Sequence, residues 1–176
     1  DRDFMALSEV YSVPAGGGEA ILLSDGLFSV GALTWSPDSR LLAVVGSNAP
    51  EGMVLWQGWL YVLEGGKEPR KLTDDTIKPS LGSPPVTRPA SLRWTDDGRI
   101  VFLGESKGES YLFQTPSGEG PSGAVWGGSC LSSGFSLNPG ATEAVVSASF
   151  PDSPGELHHV ELATGRTKQL TGHNGP

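Results

Sequence analysis

An all-β fold assembled from repeated antiparallel units is predicted by three features of this 176-residue sequence. A short strand phrase occurs four times, as Val10-Tyr11-Ser12-Val13, Leu60-Tyr61-Val62-Leu63, Tyr111-Leu112-Phe113-Gln114 and Leu157-His158-His159-Val160. A second phrase alternates with it. It reads Leu33-Thr34-Trp35-Ser36-Pro37-Asp38-Ser39-Arg40-Leu41-Leu42, then Leu92-Arg93-Trp94-Thr95-Asp96-Asp97-Gly98-Arg99-Ile100, and more weakly Phe135-Ser136-Leu137-Asn138-Pro139-Gly140-Ala141. Between the apolar runs stand most of the 25 Gly and 14 Pro, residues that favour tight turns over helices. Two hairpins alternating at roughly 40 to 50 residues are the signature of a β-propeller blade, four antiparallel strands arranged radially about a channel.

The strands of a blade are named a to d from the channel outward. Residues 1–30 read as the outer hairpin of a preceding blade, turning at Gly16-Gly17-Gly18. Residues 31–73 form a blade with strands near 31–36, 41–46, 59–63 and 69–72, the last closing on Leu72-Thr73 after Gly65-Gly66. A second blade spans 90–126, with strands near 90–94, 99–104, 110–114 and 123–126. A third spans 132–171, with strands near 132–137, 143–149, 156–161 and 167–170. Residues 172–176 start a linker to a missing domain. The predicted fold is thus a propeller fragment of about three four-stranded blades plus a leading β-hairpin, cut from a longer protein. Its two end faces call for cover by further blades or by another copy.

Strand parity adds a prediction. If a–b and c–d turns lie at one end of the blades, b–c and d–a connections lie at the other. The long connections 47–58 and 74–89 then share a face. Trp56 sits in the first with Trp59 at its end, and Pro79, Pro84, Pro85 and Pro89 stiffen the second. Either this face meets another domain or a substrate, or its aromatics fold back on the blade edge. Trp35 and Trp94, in the a–b phrase, are expected in the core, where truncation to Ala costs ~3–5 kcal/mol.

Composition excludes several functions. A net charge of −8 and a pI near 4.8 disfavour nucleic acid and anionic membranes as partners. No apolar run reaches the 18 residues a spanning helix needs. Cys130 is the sole cysteine, so no disulfide can form within the chain, which fits a cytoplasmic location. No catalytic constellation emerges. Gly127-Gly128-Ser129-Cys130-Leu131 lacks the closing Gly of a nucleophile elbow and leads into a strand. His158 and His159 are strand neighbours that point to opposite faces, and His173 lies in the tail. Asp74-Asp75 and Asp96-Asp97 lack the third carboxylate of a calcium loop, and Cys130 has no adjacent base to activate it. Gly16-Gly17-Gly18 precedes no helix and is no phosphate loop. The residues call for no catalytic group, metal or cofactor.

The blade phrases, with Lys71-Leu72-Thr73-Asp74-Asp75, Ser133-Gly134-Phe135-Ser136-Leu137-Asn138-Pro139, Ser153-Pro154-Gly155-Glu156-Leu157 and Gln169-Leu170-Thr171-Gly172-His173-Asn174, resemble the propeller of the prolyl oligopeptidase family, in its acylaminoacyl-peptidase branch. The likeness covers nearly the whole chain. The Trp-Ser-Pro-Asp hairpin is shared with TolB-like propellers, and the tail phrases are the narrower signal. The third blade departs, with Leu137 in place of Trp and Gly140 in place of Asp. The resemblance implies a C-terminal half of a propeller that docks on an α/β-hydrolase domain of the same protein and admits only short peptide substrates. The family's catalytic Ser, Asp and His have no counterparts here. A free-standing TolB-like interaction module is the alternative, and self-association through the end faces is a further expectation.

Overall fold

The computed structural model describes residues 8–49, 58–80 and 92–174. These residues are all-β. They form a leading hairpin and three successive antiparallel sheets, the stacked-blade arrangement of a β-propeller. The hairpin pairs β1 (Tyr11–Ser12) with β2 (Ile21–Leu22). The first sheet runs in order β3 (Ser29–Trp35), β4 (Leu42–Ser47), β5 (Trp59–Leu63), β6 (Arg70–Lys71). In the second, β9 (Arg99–Ser106), β10 (Glu109–Pro116) and β11 (Gly123–Gly128) are neighbours, and both β7 (Lys78–Pro79) and β8 (Leu92–Trp94) lie along the inner edge of β9. The third runs β12 (Leu131–Leu137), β13 (Glu143–Phe150), β14 (Ser153–Glu161), β15 (Thr167–Gln169).

Alternation along the b strands decides which sheet packs on which. In β4, Leu42 and Val44 face the hairpin with Tyr61 and Leu63, whereas Ala43 and Val45 face the second sheet. In β9, Ile100 and Phe102 meet those residues, while Val101 and Leu103 turn to Phe135, Ala144 and Val146 of the third sheet. Strands buried on both faces must be apolar without interruption, hence Leu42-Ala43-Val44-Val45 and Ile100-Val101-Phe102-Leu103. Phe102 and Phe113 stack at 5.4 Å in the middle of the first interface.

The a–b turns show why three different sequences fold alike. Ser36, Thr95 and Asn138 each start a turn closed by a backbone bond three residues on, from Ser39, Gly98 and Ala141. All three closing residues take positive φ, at 58°, 79° and 48°. The starting side chain then accepts the N–H that opens the b strand: Leu41 to Ser36 Oγ at 2.9 Å, Arg99 to Thr95 Oγ1 at 3.0 Å, and Glu143 to Asn138 Oδ1 at 3.0 Å. Asp38 and Asp97 brace the first two turns through the Ser36 and Thr95 hydroxyls. In the third, Asn138 Oδ1 also takes the Thr142 N–H, so the Asp replaced by Gly140 is not needed. The second turn is one residue shorter than the others. The difference stays within the turn, so apolar residues keep their faces.

The Leu-Thr phrases have an equally local role. The Leu72 and Leu170 amides donate to Leu60 and Leu157 carbonyls, and the Thr73 and Thr171 hydroxyls accept the Leu60 and Leu157 N–H groups. The leading hairpin repeats this with Leu23 to Val10 and Val10 to Ser24 Oγ, both 2.8 Å. By this pattern β1 and β2 are c and d strands.

Two expectations are corrected. Trp35 is 46% exposed and outside the core, because its face of β3 lies beyond the reach of the hairpin. Trp94 does pack on the first interface, and its indole donates to the Thr34 carbonyl at 3.0 Å. Residues 74–89 are not one connection. Pro79 is buried in β7, opposite Gly104, and Ser80 donates to the Leu103 carbonyl before Leu92 resumes opposite Phe102. The second sheet's inner strand is therefore in two pieces, and the link into it is only 72–77. Trp56, Pro84, Pro85 and Pro89 lie outside the described residues.

Candidate docking face where the chain leaves the last sheet

Parity places the b–c turns, the d–a links and the tail after β15 at one end of the blades. Two of the b–c turns there are tight, at Lys107-Gly108 and Pro151-Asp152. The tail is tied down by Glu156, a fully buried carboxylate at the outset of the third c strand. It accepts the Thr171 hydroxyl on one oxygen and the Asn174 backbone N–H, at 2.8 Å, on the other. The Asn174 side-chain amide donates to the Pro154 carbonyl at 2.7 Å. These hydrogen bonds, the Thr171 hydroxyl foremost, hold the Glu156 pKa below the ordinary carboxylate range. The segments 153–157 and 169–174, distant in sequence, thus form one polar latch. No single-site motif announces it: its signal was two separate phrases whose meeting only strand pairing determines.

Beside the latch, His158 faces the second sheet at 8% exposure, between Trp126 and Phe150 with both ring centroids at 5.4 Å. Its Nε2 has no hydrogen-bond partner among the described residues. Burial lowers its pKa, and the charge of Glu156 works against that shift. His159 points to the opposite face, 3.6 Å from the Glu143 carboxylate. A shallow groove of about 340 Å³ opens at the same end, between the second and third sheets, lined by Gly108, Ser129, Cys130, Leu131, Phe150 and Pro151. Ser129 stands in a link between strands, where its hydroxyl donates to the Glu109 carboxylate at 2.9 Å. Cys130 Sγ lies 3.8 Å from the Ser110 carbonyl.

Trp59 settles the choice for its own part of this face. Its indole donates to Asp75 at 2.9 Å, Lys71 Nζ stands 4.0 Å above its ring, and Lys71 pairs with Asp75 at 3.2 Å. The ring lies against the blade edge under a polar cap. Asp74 accepts the Thr76 hydroxyl and N–H, an Asx turn leading into β7. Asp96 and Asp97 belong to the a–b turn at the other end. Among the described residues no group of three His, Cys, Asp or Glu could hold a metal ion.

No family model matches the chain, and no curated protein does. Solved structures do. A TolB protein from Agrobacterium tumefaciens aligns with 93% of this chain and 55% of its own, at 15% identity and a TM-score of 0.66. The β-propeller domain of the Trilobed protease from Pyrococcus furiosus aligns with 97% of this chain and 47% of its own, at 20% identity and a TM-score of 0.63. A prolyl endopeptidase aligns with 97% of this chain and 27% of its own, at 15% identity and a TM-score of 0.66. The chain therefore spans about half or less of the length of each. What it shares with these TolB and prolyl oligopeptidase-family structures is the fold, a β-propeller of radially stacked four-stranded blades.

Proposed function

We propose that this chain is a non-catalytic propeller segment of a serine peptidase of the acylaminoacyl-peptidase type, which docks on an α/β-hydrolase domain and restricts entry to short peptides. The Glu156 latch carries the proposal. It joins the two phrases that most resemble that branch, and it fixes the direction of the chain where it leaves the last blade. The groove beside it offers exposed Leu131 and half-buried Phe150 next to polar turn backbone, the mixed character of an interdomain contact. Peptidase-family neighbours of the fold support the reading. The lone cysteine suits a cytoplasmic enzyme.

The test is hydrolysis of an acyl-alanyl chromogenic substrate by this chain and by the full-length parent. Activity in the parent alone is expected. Glu156→Gln in the parent should lower kcat/KM and admit longer peptides, because the exit no longer sets the domain angle. Hydrolysis by the isolated chain would overturn the non-catalytic assignment. An inactive parent without a hydrolase domain would favour the TolB-like interaction module.

A further inference from the structure

A crevice of about 270 Å³ opens between the link from β2 to β3 and the outer strands of the first sheet. Leu27 and Tyr61, both buried, form its floor, and Asp25, Asn48 and Glu68, all exposed, stand at its rim beside Pro69. Its polar groups are unmet. Tyr61 is only 4% exposed, yet its hydroxyl has no hydrogen-bond partner among the described residues. Asp25, Asn48 and Glu68 likewise make no side-chain hydrogen bond or ion pair among them. Other turn carboxylates of the chain serve their own turns, as Asp38, Asp74 and Asp97 do. Asp25 does not: its turn is closed by the Leu27 N–H on the Ser24 carbonyl at 2.9 Å, with Gly26 at φ 81°, and the carboxylate is left free at the rim. An unpaired hydroxyl in a buried floor lowers stability, so a second use is its simplest reason to be there.

We propose that this crevice binds a guanidinium group, with Asp25 and Glu68 as charge partners and the Asn48 carbonyl and Tyr61 hydroxyl as neutral acceptors. No cationic side chain lines it. Lys71, opposite Tyr61 in the ladder, is held by Asp75 and the Trp59 ring, and Arg70 donates to the Gly118 carbonyl of the second sheet. Burial, and after it the Asp75 charge, raise the Tyr61 pKa, so its hydroxyl stays neutral and can accept one N–H while donating to a carboxylate. Two carboxylates without a third metal-ligating group suit an organic cation better than a metal ion. Four acceptor groups exceed the three N–H donors of an ammonium and match the five of a guanidinium fork. The guanidinium belongs either to a small free compound or to an arginine side chain of a peptide. The site is independent of any peptidase role.

The test follows the amide signals of Gly26 and of the Asn48 side chain by 1H–15N NMR at low ionic strength. Its probes are ethylguanidinium and N-acetyl-arginine methylamide. Saturable shifts are expected. Binding of ethylguanidinium alone assigns the site to a free guanidine compound, and binding of the capped arginine, alone or as well, assigns it to an arginine side chain. Butylammonium should bind about tenfold more weakly than the better probe. Asp25→Asn and Glu68→Gln should each weaken that probe by about tenfold, whereas Asp96→Asn, in an a–b turn of the second sheet, should leave it unchanged. Tyr61→Phe should weaken binding about threefold without lowering the melting temperature, because it removes a hydroxyl that the free protein leaves unpaired. A Kd weaker than about 10 mM for both probes overturns the proposal. So does an equal loss in Asp96→Asn, which means unspecific attraction, or a melting temperature that falls in Tyr61→Phe, which means the hydroxyl is already paired.

Discussion

Replacing Trp94 and Trp35 by alanine separates two residues that the sequence presents as equivalents. Trp94 is half-buried against the apolar cluster between the first and second sheets and bridges two blades through Thr34. Truncating a core Trp costs ~3–5 kcal/mol. The partial exposure of Trp94 puts it at the low end, about 3 kcal/mol including the bridging bond, of which the bond accounts for roughly 1 kcal/mol. Trp35 projects from an open face, and its truncation should cost less than about 1 kcal/mol. For a chain of this size each kcal/mol lowers the melting temperature by roughly 2–4 °C. Trp94→Ala should therefore lose about 6–12 °C, and Trp35→Ala less than about 4 °C, by circular dichroism at 215–220 nm (~1 °C per minute). Trp94→Phe, which keeps the ring contact but not the bond, should fall between them. Equal losses at both positions would refute the register that makes one face covered and the other open.

Three further perturbations test the latch and the second blade interface. Glu156 has a depressed pKa, so its contribution is full above the ordinary carboxylate range and is lost as pH falls through the folded value; amide exchange at Asn174 should accelerate in acid, and Glu156→Gln should be fast at every pH. His158 is held neutral by burial, so the unfolded chain takes up its proton first; stability should be full above about pH 6.5 and decline below it. His158→Phe, between Trp126 and Phe150, should flatten that slope in urea titrations. Gly165 has φ +69°, and a Cβ there would lie 2.6 Å from the Val125 carbonyl of the neighbouring blade, so Gly165→Ala should cost about 1–3 kcal/mol by urea denaturation, more than Gly65→Ala, where the space is open.

The strand order was legible because each blade is local: a strand, a turn and its return lie within about twenty residues. The unbroken apolar runs near 41–46 and 99–104 are legible as short strands buried on both faces, and Ser36, Thr95 and Asn138 mark turns by chemistry that acts over four or five residues. Burial was another matter. Trp35 and Trp94 hold matching places in their phrases, yet among the described residues a blade packs on the face of Trp94 and none on that of Trp35, and no local pattern records that difference. Pro79 looked like loop because a proline rarely marks a strand, but as the edge partner of Gly104 its missing N–H costs no ladder bond. The Glu156 latch likewise joins segments 15 and 18 residues apart through a buried acid. The sequence alone therefore determined the repeat, the turns and the all-β class, because these depend on backbone preferences and short-range hydrogen bonds. Tertiary packing decided which aromatic is core, where the inner strand is broken and how the tail is held, because those depend on which surfaces the stacked sheets bring together.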